Sequence, residues 1–206
     1  MAKVKNPHNE NNEDIIFTKK KSTEDGFTHY TRIRNQNLKK KPQSGSVGKP
    51  TIRRATSKDL DDVQRLNFDL FKKEHKEFDK SLDMKWTHSK QGMTYFKKRT
   101  SGKDGFCVVA ENNGKIVGYL CGGSYECGYR EKAVYTELEN MIVDKKLRGK
   151  GIGTMLTNEF FKWCKDKKAK YISVKASVQN KQGIKFYRSL GFKDYDLTLE
   201  INNFSK

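Results

Sequence analysis

The 206-residue sequence contains no long apolar run, and nothing in it approaches the ~18 apolar residues of a membrane-spanning helix. Its start, MAKVKNPHNENNED, lacks the apolar stretch of a secretory leader. The two absences predict a cytoplasmic protein with no membrane association. Cysteine is scarce as well. The four residues, at 107, 121, 127 and 164, form no C-x-x-C pair, and a chain of this length needs no disulfide framework. They read as reduced core thiols, and no metal site is expected. Apolar residues are sparse in residues 1–50 but recur periodically through 51–201, so only the second part can form a core. Residues 1–50 are therefore expected to be a basic, flexible extension whose segment 42–50 is a linker, and residues 51–206 a single folded domain. Within the extension, the patch 26–34 alternates well enough for a strand or a docking peptide.

Acidic residues are outnumbered 25 to 43, giving a net charge of +18. A field of that sign attracts phosphate groups without choosing among nucleic acid, anionic lipid and a phosphorylated cofactor. It disfavours a polycationic substrate unless local carboxylates reverse it.

Periodicity gives the order of elements. A short strand at 51–55 leads into Thr56-Ser-Lys-Asp59, a helix-capping pattern. Leu60, Val63, Leu66, Leu70 and Phe71 then follow helical spacing. A second helix is expected over 89–98. Two strands, 106–110 and 115–120, flank Glu111-Asn-Asn-Gly114, whose Asn-Gly pair is a strong hairpin signal. A strand over 134–143, a helix from Gly151 to about Lys167, a strand at 171–175 and a helix over 181–190 follow. Alternating Leu197, Leu199 and Ile201 predict a final strand over 192–201. The order β-α-α-β-β-β-α-β-α-β describes an α/β domain with a mixed, mostly antiparallel central sheet flanked by helices. No internal repeat is visible.

The segment Met141-Ile-Val-Asp-Lys-Lys-Leu-Arg-Gly-Lys-Gly-Ile-Gly-Thr154 carries the chemistry. A strand runs into a basic, glycine-rich turn that opens a helix. Gly151 and Gly153 let backbone N–H groups approach a ligand closely, and the helix N-terminus, Arg148 and Lys150 add positive charge. This is a cradle for a pyrophosphate. It lacks the G-K-[ST] ending of a nucleotide P-loop and an acidic residue at dinucleotide spacing.

Arg148-x-x-Gly151-x-Gly153 at a strand end resembles the signature of the GNAT superfamily of N-acetyltransferases. Asn180 through Phe192, NKQGIKFYRSLGF, is similar to the family's second landmark, at the usual separation. The resemblance covers residues 51–201 and implies a single GNAT-like domain using acetyl-CoA. It implies that the coenzyme's pantetheine lies against the backbone of Met141, Ile142 and Val143, in a wedge opened beside that strand. The pyrophosphate would rest on the amides of Arg148, Gly149, Lys150, Gly151, Ile152, Gly153 and Thr154. Asn180 matches a residue near the pantetheine and also suits a helix N-cap. Tyr187 matches the tyrosine near the coenzyme sulfur, where a phenol can protonate a departing thiolate; it also shares a helical face with Ile184 and Leu190. Glu137, eleven residues before Arg148, is the expected base, with Glu139 second. Ideal alternation puts both on one face, unless a bulge intervenes.

The implied reaction is direct transfer of an acetyl group to a primary amine in a ternary complex, the amine belonging to a small molecule or a protein. The resemblance implies acceptor contacts from 76–86, where Glu77, Asp79, Asp83 and Trp86 could receive an amine; the same residues also read as a charged, solvated linker. Two alternatives stand beside this reading. One is a basic RNA- or ribosome-associated binding protein, suggested by the charge. The other is a catalytically silent acetyl-CoA sensor on the same fold. An oligomer is possible, and nucleic acid is not the favoured partner.

Overall fold

The computed structural model describes residues 49–201, together with the backbone of two short strands nearer the N-terminus. Those strands, β1 (Ile16–Lys19) and β2 (Tyr30–Ile33), pair antiparallel from Ile16↔Ile33 to Lys19↔Tyr30. β2 falls in the alternating patch noted above. The rest of the expected flexible extension lies outside the described residues.

Five strands form the second sheet, in the order β3 (Thr51–Arg54), β4 (Gly105–Asn112), β5 (Lys115–Tyr125), β6 (Tyr135–Val143) and β7 (Tyr171–Val174). The first three pairings are antiparallel and β6–β7 is parallel. The parallel step requires a crossover, which α3 (Ile152–Asp166) supplies. α1 (Leu60–Glu77) and α2 (Lys90–Ser101) separate β3 from β4, and α4 (Lys181–Ser189) follows β7. Among the described residues no helix is long and apolar enough to cross a membrane.

Local sequence explains the boundaries. Before α1, Thr56 and Asp59 form a reciprocal capping box: the Asp59 carboxylate accepts from the Thr56 N–H at 2.7 Å, and the Thr56 hydroxyl from the Lys58 N–H at 3.3 Å. Arg53 donates to both Asp59 oxygens at 2.8 Å, which ties β3 to the start of the helix. Ser89 caps α2 through the Gly92 N–H. Asn113 and Gly114 turn the β4–β5 hairpin with φ of 51° and 71°, as the Asn-Gly pair required.

β4 and β5 are buried on both faces, so their side chains alternate between two cores. Cys107, Val109, Tyr119 and Cys121 pack with Val63, Leu66 and Phe96 of α1 and α2. Phe106, Val108 and Leu120 pack with Leu138 of β6 and with Ile152, Leu156 and Phe160 of α3. Cys107, Cys121 and Cys164 are buried thiols.

The expected final strand is not formed. Residues 192–201 belong to no strand, and Tyr195, Leu197, Leu199 and Ile201 are 65–85% exposed. β7 therefore lies at the margin of the sheet. Alternation marks a segment able to pair, but it carries no information about where a partner edge lies.

Candidate active site

β6 pairs with β5 along its whole length, but with β7 only from Tyr135↔Tyr171 to Leu138↔Val174. Beyond Leu138 the pairing stops, since β7 ends at Val174, and the chain that follows it borders the cleft together with Glu139–Val143. Among the described residues, the edge of Glu139–Val143 that faces away from β5 thus has no neighbouring strand.

A bulge begins at the same place. Cys121 pairs with Asn140 and Gly122 with Leu138, so Glu139 is the extra residue on β6. The glycines opposite explain how it fits. A Cβ on Gly122 would lie 2.6 Å from the Glu137 carbonyl and from the Phe160 ring, and one on Gly123 would lie 2.5 Å from an Arg99 guanidinium nitrogen. Bare backbone lets Arg99 cross the sheet to Glu139. Glu137 and Glu139 still open into one cleft, as alternation predicts, and the bulge adds Asn140 to that side.

Glu139 is fully engaged. It accepts from Arg99 Nε and from the Tyr95 hydroxyl, each at 2.6 Å, and pairs with a second Arg99 nitrogen. Tyr95 accepts from Asn140 Nδ2 at 2.6 Å, and Asn67 joins Tyr119 and Thr87 beneath them at 2.8 and 2.7 Å. Burial, more than any neighbouring charge, pushes the Tyr95 phenol far above its ordinary range, so it remains a donor. Glu137 faces Lys175 Nζ at 3.3 Å, a lysine that is itself almost fully solvated.

After β6, the Asp144 carboxylate accepts from the Lys146 N–H at 2.9 Å and starts a 3₁₀ turn over Lys145–Leu147. The chain then reverses through Gly149 and Gly151, with φ of 77° and 78°. No atom lies within 4 Å of a Cβ built on either, so the space over the loop is open. Buried Ile152 anchors the start of α3. The Met155 N–H bonds to the Gly151 carbonyl at 3.0 Å, so helix geometry leaves the amides of Ile152, Gly153 and Thr154 without intrahelical partners. Gly153 lies under Phe186 of α4, 3.3 Å from where its Cβ would be. Arg148 also braces the loop. Its Nε donates back to the Val143 carbonyl at 2.9 Å, tying the loop to the strand end.

Asn180 caps α4 by accepting from the Gly183 N–H at 3.0 Å. Tyr187 packs edge-on against Phe186 and Phe192, with centroids 5.3 and 5.8 Å away. Burial, aided by the charge of Glu74, raises its phenol to about 12. Glu137, Glu139, Met141–Val143, Arg148, Gly149, Gly151–Thr154, Asn180 and Tyr187 all border one cleft. Among the residues expected to hold the coenzyme or to act in catalysis, only Lys150 does not.

Of the candidate acceptor contacts in 76–86, Asp79 borders the cleft and Glu77, Asp83 and Trp86 do not. Trp86 is packed, stacked on Phe71 at 5.5 Å with rings 5° apart. Asp79 and Asp83 accept from the N–H groups of Ser81 and Lys85 and shape the turn, while Glu77 lies 3.9 Å from Lys73. The residue missed is Glu74, half-buried on the last turn of α1 and bordering the cleft. Its signal was its place: it follows Val63, Leu66, Asn67 and Leu70 at helical spacing, where the core stripe calls for an apolar side chain.

A strand whose outer edge loses its neighbour and that runs into a glycine loop on a helix N-terminus can hold an extended amide-bearing chain ending in a diphosphate. The sequence model of the "Acetyltransferase (GNAT) family" matches residues 68–192, more than half of the chain. The chain belongs to that family. An "Uncharacterized N-acetyltransferase" of Methanocaldococcus jannaschii is 34% identical over 147 residues, covering 71% of this chain and 62% of the relative. The match thus spans less than two thirds of that protein. A second archaeal relative of the same description, from Archaeoglobus fulgidus, is 27% identical over 139 residues, covering 67% of this chain and 89% of its own. Among solved structures, the fold matches a mutant of the BH1408 protein from Bacillus halodurans, with TM-score 0.65 and 21% identity over 74% of this chain and 98% of that one. An aminoglycoside N-acetyltransferase in complex with CoA matches with TM-score 0.58 and 13% identity, over 76% and 96% of the two chains. GNAT membership and the partly paired β6–β7 edge agree with the fold class read from the sequence.

Proposed function

We propose that the protein transfers an acetyl group from acetyl-CoA directly to a primary amine. The observation that carries this reading is the end of the β6–β7 pairing after Leu138, before the Gly149–Gly151 loop. The residues present fit the donor. The open edge of Glu139–Val143 offers amide partners to a pantetheine chain, and the unpaired amides of Ile152, Gly153 and Thr154 point toward the open space over the loop. Bound there, acetyl-CoA supplies an activated acyl group as a thioester. Both archaeal relatives are described as uncharacterized N-acetyltransferases, which supports the choice of reaction.

The chain's own residues align, charge and exclude water. Arg148 fixes the loop to the end of β6. Tyr187 keeps its proton through the neutral range and has no hydrogen-bond partner among the described residues, so it can donate to a departing sulfur. Glu137, expected as the base, and Glu139 both border the acceptor end of the cleft. Glu139 is neutralised by Arg99, which suits holding the bulge in shape better than removing a proton. Glu137 pairs with solvated Lys175 at 3.3 Å, which leaves its carboxylate less free to receive an ammonium group.

The test is thermal unfolding with and without acetyl-CoA, followed by turnover of labelled acetyl-CoA against a panel of amines. Acetyl-CoA should raise Tm, and Gly153→Val, which drives a branched side chain into Phe186 over the loop, should remove the rise. Stabilisation by RNA with no response to acetyl-CoA would favour the basic binding-protein reading instead. Acetyl-CoA binding with no turnover of any amine would favour the sensor.

A further inference from the structure

We propose that Glu74 is the general base of the transfer, its carboxylate receiving the acceptor's ammonium group and taking a proton from it. The inference rests on the acetyl-transfer reading and concerns the opposite wall of the same cleft.

Of the other carboxylates that border the cleft, Asp196 and Glu200 are exposed to solvent. Glu139 is paired with Arg99 and Tyr95. Glu137 faces Lys175, Glu131 is bound by Lys170 and Tyr171, and Asp194 by Arg188. Asp79 accepts from the Ser81 N–H and hydroxyl at 2.8 and 2.6 Å. Glu74 differs from all of these. It is half-buried, yet no described residue gives its carboxylate an ion pair or a hydrogen bond. Its neighbour Lys73 lies over the Phe78 ring at 5.3 Å and reaches Glu77 at 3.9 Å, so it acts on Glu74 through its charge without a hydrogen bond or ion pair. A carboxylate withdrawn from water without a partner is poised to accept a cation or a proton.

The surroundings agree with that role. Leu70 and Phe78 flank Glu74 on the cleft wall, and Tyr187 borders the same cleft from α4. The charged and titratable groups that face it are Lys73 on its own helix, Asp79 in the following turn and Tyr187. Burial raises its affinity for a proton, Lys73 lowers it and Asp79 raises it again. The charge of Glu74 in turn reaches Tyr187. One group that accepts a proton and one that donates thus share a cleft, as acyl transfer from a thiol to an amine requires.

The step balances. Glu74 takes one proton from the ammonium, and the nitrogen lone pair forms the N–C bond at the thioester carbonyl. The C–S bond breaks with its electron pair on sulfur. A second proton leaves the nitrogen for solvent while Tyr187 protonates the sulfur and is itself reprotonated from solvent. Glu74 then releases its proton to water. Ammonium and thioester become amide, thiol and one net proton.

The experiment measures thiol release from acetyl-CoA by the full chain, with spermidine, tyramine, glucosamine and a peptide bearing a free α-amine. The best acceptor is then carried through pH profiles of Glu74→Gln, Glu74→Asp, Glu137→Gln and Asp69→Asn. Glu74→Gln is expected to lower kcat/KM by about 100-fold or more and to abolish the acidic limb, while the acetyl-CoA thermal shift is retained. Glu74→Asp should recover part of the rate, and Asp69→Asn, an exposed carboxylate on the same helix away from the cleft, should match the unmodified protein. A Glu74→Gln rate within threefold of the unmodified protein, or an acidic limb lost in Glu137→Gln instead, would overturn the proposal. If the unmodified chain acetylates none of the amines, the acetyl-transfer reading itself fails, and this inference with it.

Discussion

Replacing Gly151 by alanine separates the loop's role in folding from its role in binding. Gly151 precedes α3 at φ 78° and ψ −1°, and a Cβ there meets no atom within 4 Å. An alanine would therefore clash with nothing in the protein. Its cost is the left-handed backbone alone, about 1 kcal/mol. In a domain of this size that lowers Tm by about 2–4 °C. Binding should suffer more, because the added methyl occupies the space through which a diphosphate reaches the amides that follow. Acetyl-CoA at about one hundred times its Kd stabilises the unmodified protein by about 2.7 kcal/mol, a rise of about 5–10 °C. A tenfold loss of affinity removes about 1.4 kcal/mol of that, or roughly half the rise at the same ligand concentration. The assay is scanning fluorimetry on the full chain with Gly128→Ala as control, a glycine in open space without a positive φ. If Gly151→Ala loses the expected few degrees without ligand yet keeps the whole ligand-induced rise, the loop amides do not hold the diphosphate.

Tyr187→Phe should lower kcat by about 10- to 100-fold while leaving the acetyl-CoA thermal shift intact. With its phenol at about 12, Tyr187 should add no alkaline limb to the rate profile below about pH 10. Asp59→Asn should cost about 2 kcal/mol in urea unfolding at pH 7, a figure kept low because the Arg53 side chain is 41% exposed. Arg53 holds the Asp59 carboxyl below its usual range, so its contribution is present above about pH 4 and fades as pH falls; the gap between variant and parent should narrow in acid. Phe160→Ala removes a ring with no solvent exposure that packs on Phe106 and Trp163, and should cost about 3–5 kcal/mol in the same assay.

Features built from neighbours in sequence were legible in advance. The Thr56–Asp59 cap, the Asn113–Gly114 hairpin and the strand–glycine loop–helix passage each depend on a few consecutive residues, and each formed as the residue types required. Features that depend on distant parts of the chain were not. The insertion of Glu139 reflects Gly122 and Gly123 on another strand, and the engagement of Glu139 reflects Arg99 on α2. The sequence makes Trp86 a candidate acceptor contact by its place between the first two helices, and its stacking on Phe71, from a helix earlier in the chain, was not legible. The charge and the amide of Arg148 were legible, and the bond from its Nε to a carbonyl five residues back was not. Glu74 was overlooked because a single carboxylate in a helical stripe reads as a polar interruption until the wall across from it is known.

The uncovered margin of β7 bears on how the protein behaves in concentrated solution. Among the described residues no strand pairs with its outer N–H and C=O groups, and the alternating segment 192–201 pairs with none. The backbone of that segment in one copy can therefore add to the β7 edge of a neighbouring copy and cover Leu197, Leu199 and Ile201. A charge of +18 keeps copies apart in dilute buffer. At physiological ionic strength that repulsion fades beyond about 8 Å, within reach of one backbone meeting another. Added salt should thus promote self-association of this cationic chain, opposite to its effect on most charge-driven contacts.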